Sequence, residues 1–407
     1  MEILCPYKKI KPLSKKRFHA EIKCEAEFEE KSRIGHLEKT RRRVPYSARR
    51  FLSRPPKNFI LAKRTKRKGL IFFGVGLNVL AEMGNYIGID IGGTKSAVVL
   101  ARVSGDEICM LERAAFATAD CASTIDKFFF SIGEILKKRN LGASDIEAVG
   151  ISSGGPLDSQ RGVIMSPPNL IGWDDVHITK IFRQRLGVES YLQNDANACA
   201  LAEWKFGAGR GTRNMVFMTF GTGLGAGLII NGRLYSGSNG NAGEVGHIRL
   251  ERFGPVGYGK KGSFEGFCSG SGIAQAGRTR ALELFQSGKK CAFCSDVSKL
   301  GEISAKTIAE AAEAGDADAV EVYRQSGRYL GRGVSVLIDI INPERVVIGS
   351  IYERSRGLLE AHMLEEIRRE ALGVSAKVCT VVPASLGDSI GDYAAISVAV
   401  EGGRKNL

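Results

Sequence analysis

Two hydrophobic periods take turns along this chain. From Ile87 the run IGIDIGGTK alternates large apolar and small or polar residues as a strand does, ends on Asp90, passes Gly92 and Gly93, and leads into a second strand over Ser96–Val103. Thr124–Lys138 carries apolar residues at helical spacing, Ile146–Ser152 and Val188–Leu192 read as strands, and the alanine-rich run after Gln193 is helical. Phe217–Phe220 is the end of a further strand. In the second half Ala317–Ile341 predicts one long helix stopped by Asn342 and Pro343, Arg345–Ile348 a strand entering Gly349, and about Ser389–Val400 a final helix. The alternation predicts an α/β fold with no internal repeat.

Glycine gives two strand ends a possible chemistry. At Phe220–His247, FGTGLGAGLIINGRLYSGSNGNAGEVGH, the residues Gly221, Thr222, Gly223, Gly225 and Gly227 leave backbone N–H groups uncovered, which suits a phosphate. A tight hairpin between core strands explains the same glycines. The upstream run offers a second turn of this kind: Asp90 can help hold magnesium through water, Gly92 and Gly93 allow close approach, and Thr94 and Lys95 can donate to phosphate oxygens. Two such turns in one chain argue for nucleotide binding more strongly than either alone. At Gln193–Phe206, QNDANACALAEWKF, the residues Asn194 and Asp195 fall at a strand-to-helix junction. One of them is explained as an N-cap; Asp195 is also placed to take the proton of an attacking hydroxyl, and the two roles are compatible.

These stretches together carry a resemblance. IGIDIGGTK, GISSGGPLDSQRGVIMSPPNLIGW (Gly150–Trp173), QNDANACALAEW, FGTGLGAGLIINGRL and GEVGH resemble the ROK family of repressors, open reading frames and kinases, in order and spacing, over about Asn85–Glu401. The resemblance implies a ribonuclease-H-like actin/hexokinase ATPase fold of two α/β lobes, residues 83–197 completed by about 389–407, and residues 198–388. A sugar would lie in the cleft and ATP with Mg2+ across the two glycine turns, with Gly349 at the adenosine. Carried across, Asp195 matches the catalytic base, and Asn169, Asn194, Glu244, His247 and Glu265 match the sugar contacts. Carboxylates, amides and an imidazole can pair with hydroxyls that both donate and accept. For His247 alone a packed histidine is the competing explanation. A homodimer is also implied.

The chain departs from the family where most members carry C-x-C-G-x-x-G-C-x-E, three thiolates that hold a structural zinc with the histidine. Here Val256, Tyr258 and Ser263 stand at the cysteine positions, so no zinc is expected in that loop. A set of His247 with Cys268, Cys291 and Cys294 is the weaker possibility, because the lone C-A-F-C lacks a second pair. Ser350 and Ile351 follow Gly349 where relatives have further glycines.

Charge changes the picture at one end. Residues 1–82 hold 22 of the 58 lysines and arginines and 8 of the 44 acidic residues, so the net +14 lies entirely there and the rest is neutral. Basic clusters at Lys15–Arg17, Arg41–Arg43 and Lys63–Lys68, with several prolines, favour disorder. Three explanations are open: translation starting at Met83, a basic tail for nucleic acid or another acidic partner, and the DNA-binding head of family repressors, whose helices are not recognisable here. Nucleic acid is a partner only if this extension is real. The apolar run Gly69–Ala81 is too short to span a bilayer, so no membrane association is expected. Nine cysteines at irregular positions argue against a disulfide framework and for the cytoplasm. The sequence thus points to an ATP-dependent hexose or N-acetylhexosamine kinase, glucokinase-like, with a sugar-responsive regulator or noncatalytic sugar sensor as the alternatives.

Overall fold

The computed structural model describes residues 83–405. The basic extension and the three explanations for it lie outside the described residues. Among the described residues, 85–101 and 112–405 form the unit that holds the site described below, and residues 102–111 fall outside it.

The first sheet is built from β1 (Gly84–Ile91), β2 (Lys95–Ser104), β3 (Glu107–Ala117), β4 (Ile146–Ser153) and β5 (Ser190–Asn194), in the order β3-β2-β1-β4-β5. Helices α1 (Cys121–Arg139) and α2 (Ile178–Leu186) fall between its later strands. β1, β4 and β5 run parallel, so Asp90 pairs with Ser152 and Asn194 with Ser153 at the same end of the sheet. Ligands gather at that carboxyl end in open α/β sheets. Helix α3 (Asp195–Phe206) leaves β5 directly.

The second sheet comprises β6 (Met215–Phe220), β7 (Leu224–Ile230), β8 (Arg233–Tyr235), β9 (Arg345–Ile348) and β10 (Thr380–Pro383), ordered β8-β7-β6-β9-β10. β6 pairs antiparallel with β7 and parallel with β9. Between β8 and β9 come α4 (Gly270–Gln286), α5 (Ala305–Glu313) and α6 (Ala317–Ile341). The α6 bounds are those the sequence predicts. Asp316 caps its start through the Ala319 N–H at 2.8 Å, and Asn342 ends it in the left-handed conformation at φ 48°. Its buried face, Val322, Leu330, Val334, Leu337 and Ile338, joins Val216, Met218 and Ile348 of the sheet and Leu359 and Met363 of α7 (Arg356–Glu370) in one core.

The final helix, α8 (Ile390–Lys405), returns to the first sheet and packs on β4, β5 and α3. It lies close because Gly150 of β4 has no side chain: a Cβ there would collide with the Ala395 oxygen and the Ala399 nitrogen. Ala394 and Val398 of α8 meet Ala198 and Leu201 of α3 and Phe217 of β6 in a second core, which ties both sheets to one pair of helices. Buried Glu203 braces this junction, accepting from the backbone N–H groups of Ala208 (2.7 Å), Ser385 (3.0 Å) and Leu386 (3.0 Å).

Candidate active site

The first glycine turn follows β1. Gly92 N–H donates to the Lys95 carbonyl at 3.2 Å and the Thr118 hydroxyl donates to the Gly92 carbonyl at 2.6 Å, which leaves Gly93, Thr94 and Lys95 exposed. Asp90 sits behind the turn. Burial pushes its carboxyl up to about 6, helped by the charges of Asp392 and Asp195 and opposed by Arg113. Arg113 donates to Asp392 at 2.7 Å. Neither Arg113 nor Asp392 stood out in the sequence: Asp392 looks like a helix-start acid, and Arg113 belongs to β3, which has no motif.

The second turn is shorter than its glycines suggest. Gly221 N–H donates to the Gly223 carbonyl at 3.1 Å, and the N-terminus of α4 abuts the turn, with Gly270 N–H donating to the Gly221 carbonyl at 2.8 Å. Gly225 and Gly227 instead lie within β7, and Gly225 N–H donates to Thr219 Oγ1 at 3.0 Å. The N–H of Gly225 is thus already engaged within the strand pair. A cavity of about 760 Å³ opens beside the turn, lined among others by Gly221, Thr222, Arg278, Ser350 and Arg354. Gly349 is not in its wall; it is buried, with its N–H on the Met218 carbonyl at 3.0 Å. Ser350 takes the position instead, at φ 62° and ψ −111°, a region that ordinarily demands glycine.

A cavity of about 350 Å³ brings Asn194, Glu244, His247 and Glu265 together, with Asn197, Asn241 and Tyr258. Asn194 caps α3, its side chain accepting from Ala196 N–H at 3.0 Å. Glu244 and His247 are held by a single 3-10 turn, Val245–His247, and Glu265 by a short helix, Phe264–Phe267, where its carboxylate accepts from Leu224 N–H at 3.1 Å. Asn169 and Asp195 are not in the wall of this cavity, although their chain neighbours Pro168, Asn194 and Ala196 are. Asn169 and Asp195 both approach Gly154: a Cβ there would lie 3.8 Å from Asn169 Oδ1 and 4.0 Å from Asp195 Oδ2. A Cβ on Gly93 would meet the Asn169 carbonyl at 2.6 Å, so the first turn also reaches this point. Asp195 is exposed as a whole residue, whereas its carboxyl is crowded by protein atoms. That burial raises its carboxyl above the usual range, and the charge of Glu244 adds to the effect against the bond from Ala196 N–H.

The loop without cysteines is held by other means. Val256–Gly257 pairs with Lys260–Lys261, and the Gln275 side chain grips Val256 twice, accepting from its N–H at 3.0 Å and donating to its carbonyl at 2.8 Å. Lys260 Nζ donates to the His247 carbonyl at 2.6 Å. Tyr258 lies edge-on to the His247 ring, centroids 5.3 Å apart. Ser263 is buried and caps the short helix through Gly266 N–H at 3.1 Å. The set of His247 with three cysteines is not assembled: the Cys268 thiol donates to the Ser326 carbonyl inside the core and the Cys294 thiol to the Asp296 carbonyl.

Two mixed sheets sharing a helical junction, each with a glycine turn, make this a two-lobed α/β protein of the actin/hexokinase ATPase type. The chain belongs to the ROK family, whose family model matches residues 86–401. It is similar to the glucokinase of Halalkalibacterium halodurans, 31% identical over 315 residues that cover 75% of this chain and 92% of that one. Among solved structures it resembles a ROK family glucokinase from Streptomyces griseus in complex with glucose and AMPPNP (30% identity, TM-score 0.62, 78% of this chain and 100% of that one). It also resembles a ROK family transcriptional regulator, a homologue of the E. coli MLC protein (25% identity, TM-score 0.67, 80% of each chain).

Proposed function

We propose that this protein is an ATP-dependent kinase of a hexose or N-acetylhexosamine. The observation that carries the reading is Asp195, a carboxylate made more basic by its surroundings, whose chain neighbours Asn194 and Ala196 line a polar cavity and which lies near the first glycine turn. In the reaction a sugar hydroxyl oxygen bonds to the γ-phosphorus of ATP, the bond from that phosphorus to ADP breaks, and the hydroxyl proton passes to Asp195. A base whose affinity for protons is raised toward neutrality is better matched to that transfer than an ordinary aspartate. Asn169, Asn194, Glu244, His247 and Glu265 hold the sugar so that one hydroxyl faces Asp195.

Thr94, Lys95, Gly221, Thr222 and Gly223 are assigned to the ATP phosphates, and the 760 Å³ cavity to the nucleoside. Among the described residues no three acidic, histidine or cysteine side chains gather closely enough to ligate an ion directly, so Asp90, beside the charges of Asp392 and Asp195, is the residue that would help hold Mg2+ through water. The ion would neutralise charge on the transferring phosphoryl group. ATP use fits a cytoplasmic enzyme, and among the described residues no helix is long and apolar enough to cross a membrane.

Likeness to a ROK regulator supports a second reading, a sugar-responsive regulator that keeps the pocket. A coupled ADP-release assay on the full chain, with MgATP and a panel of hexoses and N-acetylhexosamines, separates the two. Sugar-dependent ADP release is expected; folded protein that binds a sugar yet releases no ADP would leave the regulator.

A further inference from the structure

Asn197 is a polar side chain that the fold leaves half satisfied. It lies on the first turn of α3 and lines the 350 Å³ cavity, yet it is only 2% exposed. Its Nδ2 donates to Gln193 Oε1 at 3.2 Å, and its Oδ1 has no partner among the described residues.

The orientation of this amide is fixed by chemistry. Asn194 N–H donates to the same Gln193 oxygen at 2.8 Å. A backbone N–H can only donate, so the Gln193 atom facing it is the carbonyl oxygen and not the amide nitrogen. That oxygen in turn requires a donor from Asn197, so the Asn197 nitrogen faces Gln193 and its oxygen is the atom left over. Flipping the Asn197 amide would set two carbonyl oxygens against each other. Gln193 thus holds Asn194, the cap beside Asp195, and Asn197 with one atom, and leaves one lone acceptor.

A buried carbonyl without a donor is costly, and in a well-formed protein such groups find water or a ligand. The chemistry of the cavity favours a ligand rich in donors. Glu244 and Glu265 bring carboxylates to the same wall, so the occupant has to supply several O–H or N–H groups.

We infer that Asn197 Oδ1 accepts a hydrogen bond from one hydroxyl of the bound sugar, making Asn197 a further substrate contact that discriminates between sugars. The inference rests on the sugar-binding part of the function proposed above. It assigns Gln193 as a positioning residue, which sets the Asn197 amide without touching the sugar. A site built to accept from a hydroxyl rejects a sugar that lacks it more strongly than an apolar wall can.

The test is titration calorimetry on the full chain and on Asn197→Ala, with the preferred hexose and its monodeoxy analogues. Thermal melts establish that the variant is folded. Asn197→Ser, which keeps a donor for Gln193 but withdraws the carbonyl, runs beside it in case the alanine variant fails to fold. The expected result is a loss of sugar affinity of ~10-fold or more in each variant. One monodeoxy analogue should bind the native protein about as weakly as it binds the variants, because the same hydrogen bond is then removed from either side. Binding within twofold of native, or a full extra penalty for every analogue, would overturn the assignment while leaving the sugar reading intact. Native protein that binds no hexose and no N-acetylhexosamine would overturn the sugar reading itself, and the Asn197 contact with it.

Discussion

Arg113 Nε donates to Asp392 Oδ2 at 2.7 Å, a bond that joins β3 to the first turn of α8 across 279 positions of sequence. Its placement matters because Asp392 is the charge that does most to raise Asp90, and Arg113 is the charge that opposes it. Replacing Arg113 by Gln removes the opposing charge and leaves two carboxylates facing each other. Asp90 should then hold its proton at pH values above the present value of about 6. The acid limb of kcat/KM for MgATP should move up by ~0.5–1 pH unit, and a profile that superimposes on the native one would disprove the coupling.

Asp195→Asn keeps the shape of the side chain and removes its ability to take a proton. Sugar affinity should stay near native, while kcat falls by ~10²-fold or more. The pH dependence follows from the sign of the shift. Asp195 has to be ionised to act and its carboxyl is raised, so native activity is lost as pH falls through a value above the ordinary 3.8. Near-native turnover in the variant would remove Asp195 from the role of base.

Asp90 carries a stability cost with a defined pH window. Its folded value of about 6 lies above the ordinary 3.8, so the folded chain binds the proton more tightly than the unfolded one. The resulting stabilisation is complete below pH ~4 and disappears as pH rises through about 6. Asp90→Asn escapes the cost of ionising there. Without ligands it should therefore be more stable than native at pH 8 by ~1–2 kcal/mol, a rise of a few degrees in Tm, with the difference shrinking toward pH 4. Its kinase activity should nevertheless collapse. Melting curves at the two pH values decide the first point, and an equal Tm difference at both would contradict it.

The loop that lacks cysteines makes a prediction of a different kind. Gln275 makes the double bond to Val256 that fastens one edge of the loop, and Lys260 fastens the other to His247. Elemental analysis should find no stoichiometric zinc in the purified protein, and chelator should leave its Tm unchanged. Gln275→Ala should loosen Tyr258 and Glu265 and raise the sugar KM several-fold with little change in the KM for ATP. One tightly held zinc per chain would refute this account.

How much of this was legible in advance depended on whether a residue's partners lie close to it in sequence. Helix α6 and strand β9 were read to the residue because Asn342 and Pro343 separate them locally. Strand β5 was read two residues early, as Val188–Leu192: its polar end, Gln193 and Asn194, is extended only because it pairs with Ser152 and Ser153 of β4. Strand β3 went unread because its residues do not alternate, with apolar side chains running together over 108–111 and 114–117, although their burial alternates from Ile108 onward. Gly225 reads as part of a phosphate turn in the sequence, and the structure places it in the ladder of β6 with β7, opposite Thr219. The sugar-facing set was recognisable as motifs, and the 350 Å³ cavity assembles Asn194, Glu244, His247 and Glu265 from segments some 70 residues apart. Arg113, Asp392 and Asn197 could not be read, since each acquires its meaning from a neighbour supplied by the fold.

The return of α8 onto Gly150 imposes an order on the making of this protein. Strands β1 to β5 are synthesised early, but the helix that covers β4 and β5 is drawn from residues 390–405. Until those residues are made, the face of β4 and β5 that α8 covers stays open, and the second sheet likewise lacks its edge strand β10 until residues 380–383 are made. Both sheets are therefore completed only by the stretch 380–405, and apolar surface stays uncovered in the growing chain until that stretch is available.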